Sequence, residues 1–257
     1  MNAVLATAAI APVLREPTVR SEQVTQLVLG EPAMIHGQSG DWLEVETVID
    51  RYPGWIHRGY LRELPRDDAD AWLAGAAWSD GAEATVSGAR VQLPLRARVQ
   101  RTEDAIQLPD GREGMVARGT VADLEFLRSS ARQMRPDQWV IRKFTGSPYL
   151  WGGVTPWGVD CSALVQTAWL ARGTTLPRDA SLQAREGIEV NRDRIQPGDL
   201  LFFADGDTPN RITHVSIAGE RDTVVHATLR RGGVVVERLA DLGWLMEKLV
   251  AVRRILD

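Results

Sequence analysis

The chain changes rhythm near residue 128, and that change limits its architecture more than any other feature. Before it, Val24–Leu29, Trp42–Ile49 and Gly54–Tyr60 are rich in β-branched or aromatic residues, with Gly30, Gly37–Gly40 and Tyr52-Pro53-Gly54 between them. Runs this short, punctuated this often, predict a small all-β barrel over residues 1–66. Asp67 to Trp78 reads as a polar, alanine-rich connector, and a fainter strand-and-turn pattern follows from Ala84 to Leu124. Val91–Leu95, Ala97–Val99 and Met115–Val116 are its strands and Pro109-Asp110-Gly111 its turn. Residues 67–127 are therefore predicted to hold the connector and a second small barrel. The charged, helical stretch Phe126–Asp137 is the joint. Beyond Gln138, Leu164, Val165, Ala168, Trp169 and Leu170 fall at helical spacing within Asp160–Arg172, and Gly173 ends the helix. Leu200–Phe203, His214–Ala218, Thr223–His226 and Val234–Glu237 follow as β-rich runs separated by Gly, Asp and Pro. One helix followed by antiparallel strands predicts an α+β domain over residues 128–257.

Composition narrows the class further. At 44% apolar and 25% charged residues, the chain is not disordered, collagen-like or a coiled coil. Its 30 basic and 34 acidic side chains give a net charge of −4, which leaves no electrostatic footprint for nucleic acid. The apolar start, Met1 to Leu14, lacks a basic leader segment, is interrupted by Pro12 and is too short to span a bilayer. It reads as the edge of the first folded domain. A cytoplasmic protein without membrane attachment is expected, with secretion as the alternative.

One cysteine excludes a disulfide framework and a cysteine-rich zinc site. That residue, Cys161, opens the helix in Val-Asp-Cys-Ser-Ala-Leu, with Asp160 placed to cap it. A thiol in the first helical turn meets unpaired N–H groups and the positive end of the dipole, and both favour the thiolate. On its own, a lone cysteine is more often a small buried hydrophobe. The four histidines change that balance. His36 and His57 read as surface or turn residues, whereas His214 and His226 fall in neighbouring strand runs that would pair as a hairpin. Such a hairpin sets the two rings side by side, opposite the end of the helix that carries Cys161. A cysteine, a histidine base and a third polar group orienting that base meet the requirement for nucleophilic acyl transfer. Nucleotide-binding glycine loops, His-Glu-x-x-His and Gly-x-Ser-x-Gly are all absent from the sequence.

Ser147-Pro148-Tyr149-Leu150-Trp151-Gly152-Gly153, with Val159-Asp160-Cys161-Ser162-Ala163-Leu164, resembles the nucleophile segment of the NlpC/p60 cysteine peptidases. Gln196–Phe203, Ile212–Ile217 and Val225-His226-Ala227 follow in that family's order, so the resemblance runs from Gln138 to Asp257. Gly40–Trp42 and Gly54–Ile56 resemble a bacterial SH3-like domain, and the second barrel is expected to be SH3-like by position. The resemblance implies a papain-like α+β catalytic domain preceded by two small SH3-like barrels, in an enzyme that cuts peptides of the bacterial cell wall. It implies Cys161 as nucleophile, His214 as general base and His226 as the orienting member. Ala163 stands where the family usually has glycine.

With Leu176-Pro177-Arg178-Asp179-Ala180-Ser181-Leu182-Gln183, the chain is similar to the γ-D-glutamyl-L-diamino-acid endopeptidases of murein-peptide recycling. That resemblance implies hydrolysis of the γ-D-Glu–meso-diaminopimelate or γ-D-Glu–L-Lys bond in peptides with a free N-terminal L-Ala, releasing L-Ala-D-Glu. The first SH3-like domain would close one end of the cleft. Tyr149 would reach the scissile carbonyl or its oxyanion, and Asp160, Ser162, Asp179 and Ser181 would line the substrate. Glu22, Tyr52 and Tyr60 are the candidates for the free amine. Trp151 is expected to pack in the core, and Arg178 and Asp179 read equally well as a loop ion pair. No cofactor or metal is called for, the partner is the murein peptide, and a monomer is expected. Two other readings keep the architecture: a non-catalytic wall-binding protein, and acyl transfer to an amine or lipid.

Overall fold

In Trp42–Thr47, Leu43, Val45 and Thr47 are buried while Glu44 is exposed, the period-two pattern of a strand with one face on a core. The computed structural model describes residues 2–205 and 208–256. They divide into two units, Met1–Leu127 and Arg128–Asp257. In the first, β1 (Asn2–Ala6), β2 (Ile10–Leu14), β3 (Gln23–Val28), β4 (Pro32–Ser39), β5 (Trp42–Thr47), β6 (Pro53–His57) and β7 (Leu61–Pro65) form one antiparallel sheet. Its order is β3-β2-β6-β5-β4-β1-β7. Leu27 of β3 and Val4 of β1 stand far apart in that order. Both nevertheless share a buried cluster with Val13, Leu43, Val45 and Ile56, so the sheet curls around its core. Ala3, Ala6, Ala11 and Ala33 are fully buried in these strands. Alanine has little strand propensity, which is why β1 and β4 go unannounced in the sequence.

Helix α1 (Arg66–Gly75) occupies most of the expected connector, and β8 begins at Ala76 without a further linker. β8 (Ala76–Val86), β9 (Ala89–Arg101), β10 (Ile106–Gln107), β11 (Glu113–Arg118) and β12 (Val121–Ala122) form a second sheet. Its order is β11-β10-β9-β8-β12, and the additional β11–β8 pairing closes it into a small barrel. The two sheets of this unit meet at the turn after β3. A Cβ on Gly30, whose φ is +77°, would lie 2.1 Å from the Arg98 carbonyl oxygen, so only glycine fits. The next residue, Glu31, is fully buried and takes Arg96 Nε at 2.7 Å and Nη2 at 3.1 Å.

α2 (Leu124–Arg132) carries the chain into the second unit. There α3 (Pro136–Phe144), the short hairpin β13 (Val154–Thr155) and β14 (Gly158–Val159), α4 (Cys161–Arg172) and α5 (Ala180–Gln183) precede the main sheet. That sheet comprises β15 (Ile188–Glu189), β16 (Leu200–Asp205), β17 (Thr208–Ala218), β18 (Thr223–Thr228), β19 (Gly233–Arg238) and β20 (Leu249–Arg254). Its antiparallel order is β15-β20-β16-β17-β18-β19, with α6 (Gly243–Met246) leading into β20. Every residue of α4 except Ala171 is buried, so this helix is the unit's central element. Each large apolar side chain buried there, such as Leu164 or Val165, contributes roughly 1.5–3 kcal/mol. Trp151, expected in the core, is instead 56% exposed on the loop before β13. Both predicted classes are present: an all-β front unit and an α+β rear unit. Among the described residues no helix is long and apolar enough to cross a membrane.

Candidate active site

The first turn of α4 is built around one carboxylate. Asp160, in extended backbone, is the N-cap, and its Oδ1 accepts the Ala163 amide at 2.9 Å. Oδ2 accepts the Gly152 amide at 2.9 Å, fixing the loop that follows Tyr149. The Ser162 hydroxyl donates to Oδ1 at 3.1 Å, and Arg178 donates to both oxygens through Nη1 and Nη2. Arg178 Nη1 also reaches Ser162 Oγ at 2.8 Å. Gln183 Nε2 donates to the carbonyls of Ser162 at 2.9 Å and Pro177 at 2.8 Å, tying the loop between α4 and α5 to the same turn. Arg178 therefore pairs with Asp160, 18 residues earlier, and not merely with its neighbour in a loop.

The histidines come from β17 and β18, paired with Ile217 opposite Val225 and Ala218 opposite Val224. Their ring centroids are 5.0 Å apart, and His214 Nε2 lies 2.8 Å from His226 Nδ1. His226 Nε2 in turn lies 2.9 Å from Glu237 Oε2, and Arg231 Nε donates to Glu237 Oε1 at 2.9 Å. Phe203, opposite His214 on β16, packs on its ring with centroids 5.8 Å apart. Beside the pair is a cavity of about 170 Å³ whose lining includes Thr213, Thr228, Trp244 and Lys248.

The Cys161 sulfur is buried, and the backbone amides of Val215, the residue after His214, and of Ser162 act to lower its pKa. Helix position alone predicts a thiolate; the environment reverses that. Burial, and then the Asp160 charge, push the thiol up to about 12, outweighing Arg178 and the two amides. Burial, followed by neighbouring His226, lowers His214 to about 3. Burial also lowers His226, with Glu237 opposing. Tyr149 is raised by burial and then by charge at Cys161 and Asp160, so its phenol stays protonated. At rest the site holds a neutral thiol, neutral imidazoles and a hydroxyl donor.

The other residues named from sequence are placed as follows. Asp179 is half-buried before α5 and Ser181 is exposed on that helix. Glu22 is ion-paired with Arg15 in the first unit, where Tyr52 donates its amide to Thr47 Oγ1 and Tyr60 packs edge-on against His57. Sequence reasoning missed Glu237, Arg231 and the partnership of Arg178 with Asp160. The β-run ending at Glu237, beside the strand of His226, was the available signal.

Residues 146–254 match the NlpC/P60 family, and residues 13–61 match the bacterial dipeptidyl-peptidase Sh3 domain. The second barrel lies outside both segments. A Bacillus subtilis protein named γ-D-glutamyl-L-lysine dipeptidyl-peptidase is 29% identical over 252 residues, covering 90% of this chain and 80% of that one. The probable endopeptidase NlpC of Escherichia coli is 35% identical over 105 residues, 40% of this chain and 67% of that one. The crystal structure of an NlpC/P60 family protein from Bacillus cereus shares the fold with a TM-score of 0.80 at 20% identity, covering 99% of this chain and 100% of that one.

Proposed function

Because this chain belongs to the NlpC/P60 family of peptidases, we propose that it is a cysteine peptidase cutting the γ-D-glutamyl–diamino-acid bond of murein peptides. Cys161 is the nucleophile, His214 the base and acid, and His226 the group that orients it. One observation carries this reading: the only sulfhydryl opens the first turn of α4, the amide of Val215 beside His214 acts on its acidity, and His214 Nε2 lies 2.8 Å from His226 Nδ1.

The neutral resting pair sets the order of events. The proton leaves Sγ for His214 as sulfur attacks the γ-carbonyl, so the thiolate exists only with substrate in place. As the C–S bond forms, charge moves to the carbonyl oxygen, where the Tyr149 hydroxyl and the Cys161 amide donate to it. The oxyanion then collapses, the C–N bond breaks, and His214 protonates the departing nitrogen. Water, deprotonated by His214, hydrolyses the thioester and returns the thiol. A leaving group must lie against the imidazole that protonates it, and the cavity beside His214 and His226 is suited to receive it. Release of L-Ala-D-Glu from peptides with a free N-terminal L-Ala is supported by the dipeptidyl-peptidase naming of the Bacillus subtilis relative.

The test uses L-Ala-γ-D-Glu-meso-diaminopimelate, its L-Lys counterpart and an N-acetylated version of each, with product read by mass spectrometry. Native protein is expected to release the dipeptide from the free-amine peptides, and Cys161→Ala to lose at least about 10⁴-fold in kcat. No release from any peptide, or equal release by the variant, would overturn the proposal.

A further inference from the structure

The register of β18 and β19 sets His226 opposite Val235, which puts Glu237 diagonally across on the same face. Its two oxygens are divided. Oε2 faces His226 Nε2 at 2.9 Å, while Oε1 receives Arg231 through Nε at 2.9 Å and Nη2 at 2.7 Å. The Glu237 side chain is 13% exposed and that of Arg231 57%, so the carboxylate is the sheltered end of this pair.

We propose that Glu237 is a positioning residue for the reaction above: it keeps the His226 proton on Nε2 and thereby presents His214 with Nδ1 unprotonated. A carboxylate only accepts, so at 2.9 Å the His226 Nε2 must donate. Neutral His226 then has its lone pair on Nδ1. At 2.8 Å from that lone pair, His214 Nε2 must donate in turn, which leaves Nδ1 of His214 to take the thiol proton. The opposite tautomer of His226 would set two acceptors against each other at the Glu237 end. When His214 becomes imidazolium during turnover, the same chain places a lone pair and, beyond it, a negative charge behind the cation. The catalytic consequence rests on the peptidase reading; the tautomers do not.

Glu237→Gln tests this with almost no change of shape. Arg231 claims the amide oxygen, so the NH2 group is left facing His226 Nε2 and demands a lone pair there. The whole chain then inverts, and His214 carries its proton on Nδ1. Two-bond ¹⁵N–¹H correlation spectra of the free enzyme are expected to show Nε2–H on both histidines in the native protein and Nδ1–H in the variant. With murein peptide, kcat is expected to fall roughly a hundredfold while KM stays within about twofold, by the same wrong-tautomer logic as in serine-protease triads. Adding Arg231→Ala to Glu237→Gln frees the amide to rotate and is expected to recover about tenfold, a rescue that a merely structural role would not give. Unchanged tautomers in Glu237→Gln would overturn the proposal, as would kcat within threefold of native or a loss carried by KM. If native protein turns over no peptide, the peptidase reading fails, and the spectra alone decide the role of Glu237.

Discussion

Glu31–Arg96 in the first unit and Asp160–Arg178 in the second are buried guanidinium–carboxylate pairs, with no side chain more than 6% exposed. Around Glu31 the partners are structural. Its Oε2 also accepts the Val28 amide at 3.0 Å, and Arg96 is held at a φ of +69°. Such a backbone costs a non-glycine residue about 1–3 kcal/mol and persists only where its surroundings enforce it. Around Asp160 the partners include groups that titrate. Its charge raises Cys161 and Tyr149, while Arg178 lowers both. Two pairs of the same chemistry and burial thus differ in what lies beside them. One fixes the junction of two sheets; the other also sets the acidity of a sulfur.

Breaking each pair from the carboxylate side separates these roles and should give the largest effects. Asp160→Asn and Glu31→Gln each remove the carboxylate charge that faces a buried guanidinium, at a cost of about 3–5 kcal/mol to the unit that carries it. Only Asp160→Asn is expected to change chemistry. Turnover should fall at least about a hundredfold as the cap and the Gly152 anchor loosen. The thiol, freed of the carboxylate charge that raises it and still beside Arg178, which lowers it, should instead ionise at lower pH. Iodoacetamide alkylation rates against pH, with urea midpoints, measure both. A shifted thiol in Glu31→Gln, or an unshifted one in Asp160→Asn, would erase the distinction.

The buried thiol and imidazole of the site also leave a pH signature. His214, lowered to about 3 in the fold and near 6.5 when unfolded, stays neutral in the native state while the unfolded chain takes up a proton. Its contribution is therefore complete above about 6.5 and is lost as pH falls from there toward 3. Cys161 acts in the other direction. Its native thiol, pushed up to about 12, keeps a proton that the unfolded chain releases above about 9, so stability falls again in alkali. Denaturation midpoints at pH 7 and 5 should converge in His214→Asn relative to native protein, and those at pH 8 and 10 should converge in Cys161→Ala. Parallel curves would show that neither group is buried neutral.

Much of this site was legible in the sequence because its parts are local. The capping Asp160, the thiol one residue on and the alternation that pairs β17 with β18 all lie within short segments. Arg178 was legible as a residue but not as the partner of Asp160, because 18 residues of helix and loop separate them and nothing in either segment fixes the fold-back. Glu237 was hidden for a similar reason: its meaning lies in a diagonal across β18 and β19. The thiol's direction was misjudged because a helix N-terminus offers about 1 kcal/mol, while full burial moves an ionisable group by several pKa units. In the first unit, β1 and β8 escaped notice because alanine, chosen there for close strand packing, carries almost no pattern of its own.

The mildest test keeps both charges and removes only shape. Arg96→Lys and Arg178→Lys each trade a planar fork for a single ammonium. Arg96 loses one of its two bonds to Glu31, whereas Arg178 gives up a bidentate grip on Asp160 together with its bond to Ser162. Both changes should cost about 1–2 kcal/mol. Arg178→Lys should in addition lower kcat/KM by roughly tenfold, since Ser162 and the Pro177–Gln183 loop lose a shared anchor. The thiol should titrate as in native protein in both variants, because the positive charge stays where it was. If the Arg178→Lys thiol shifts as far as in Asp160→Asn, fork geometry and not charge governs the sulfur, and the contrast between the two pairs becomes one of shape.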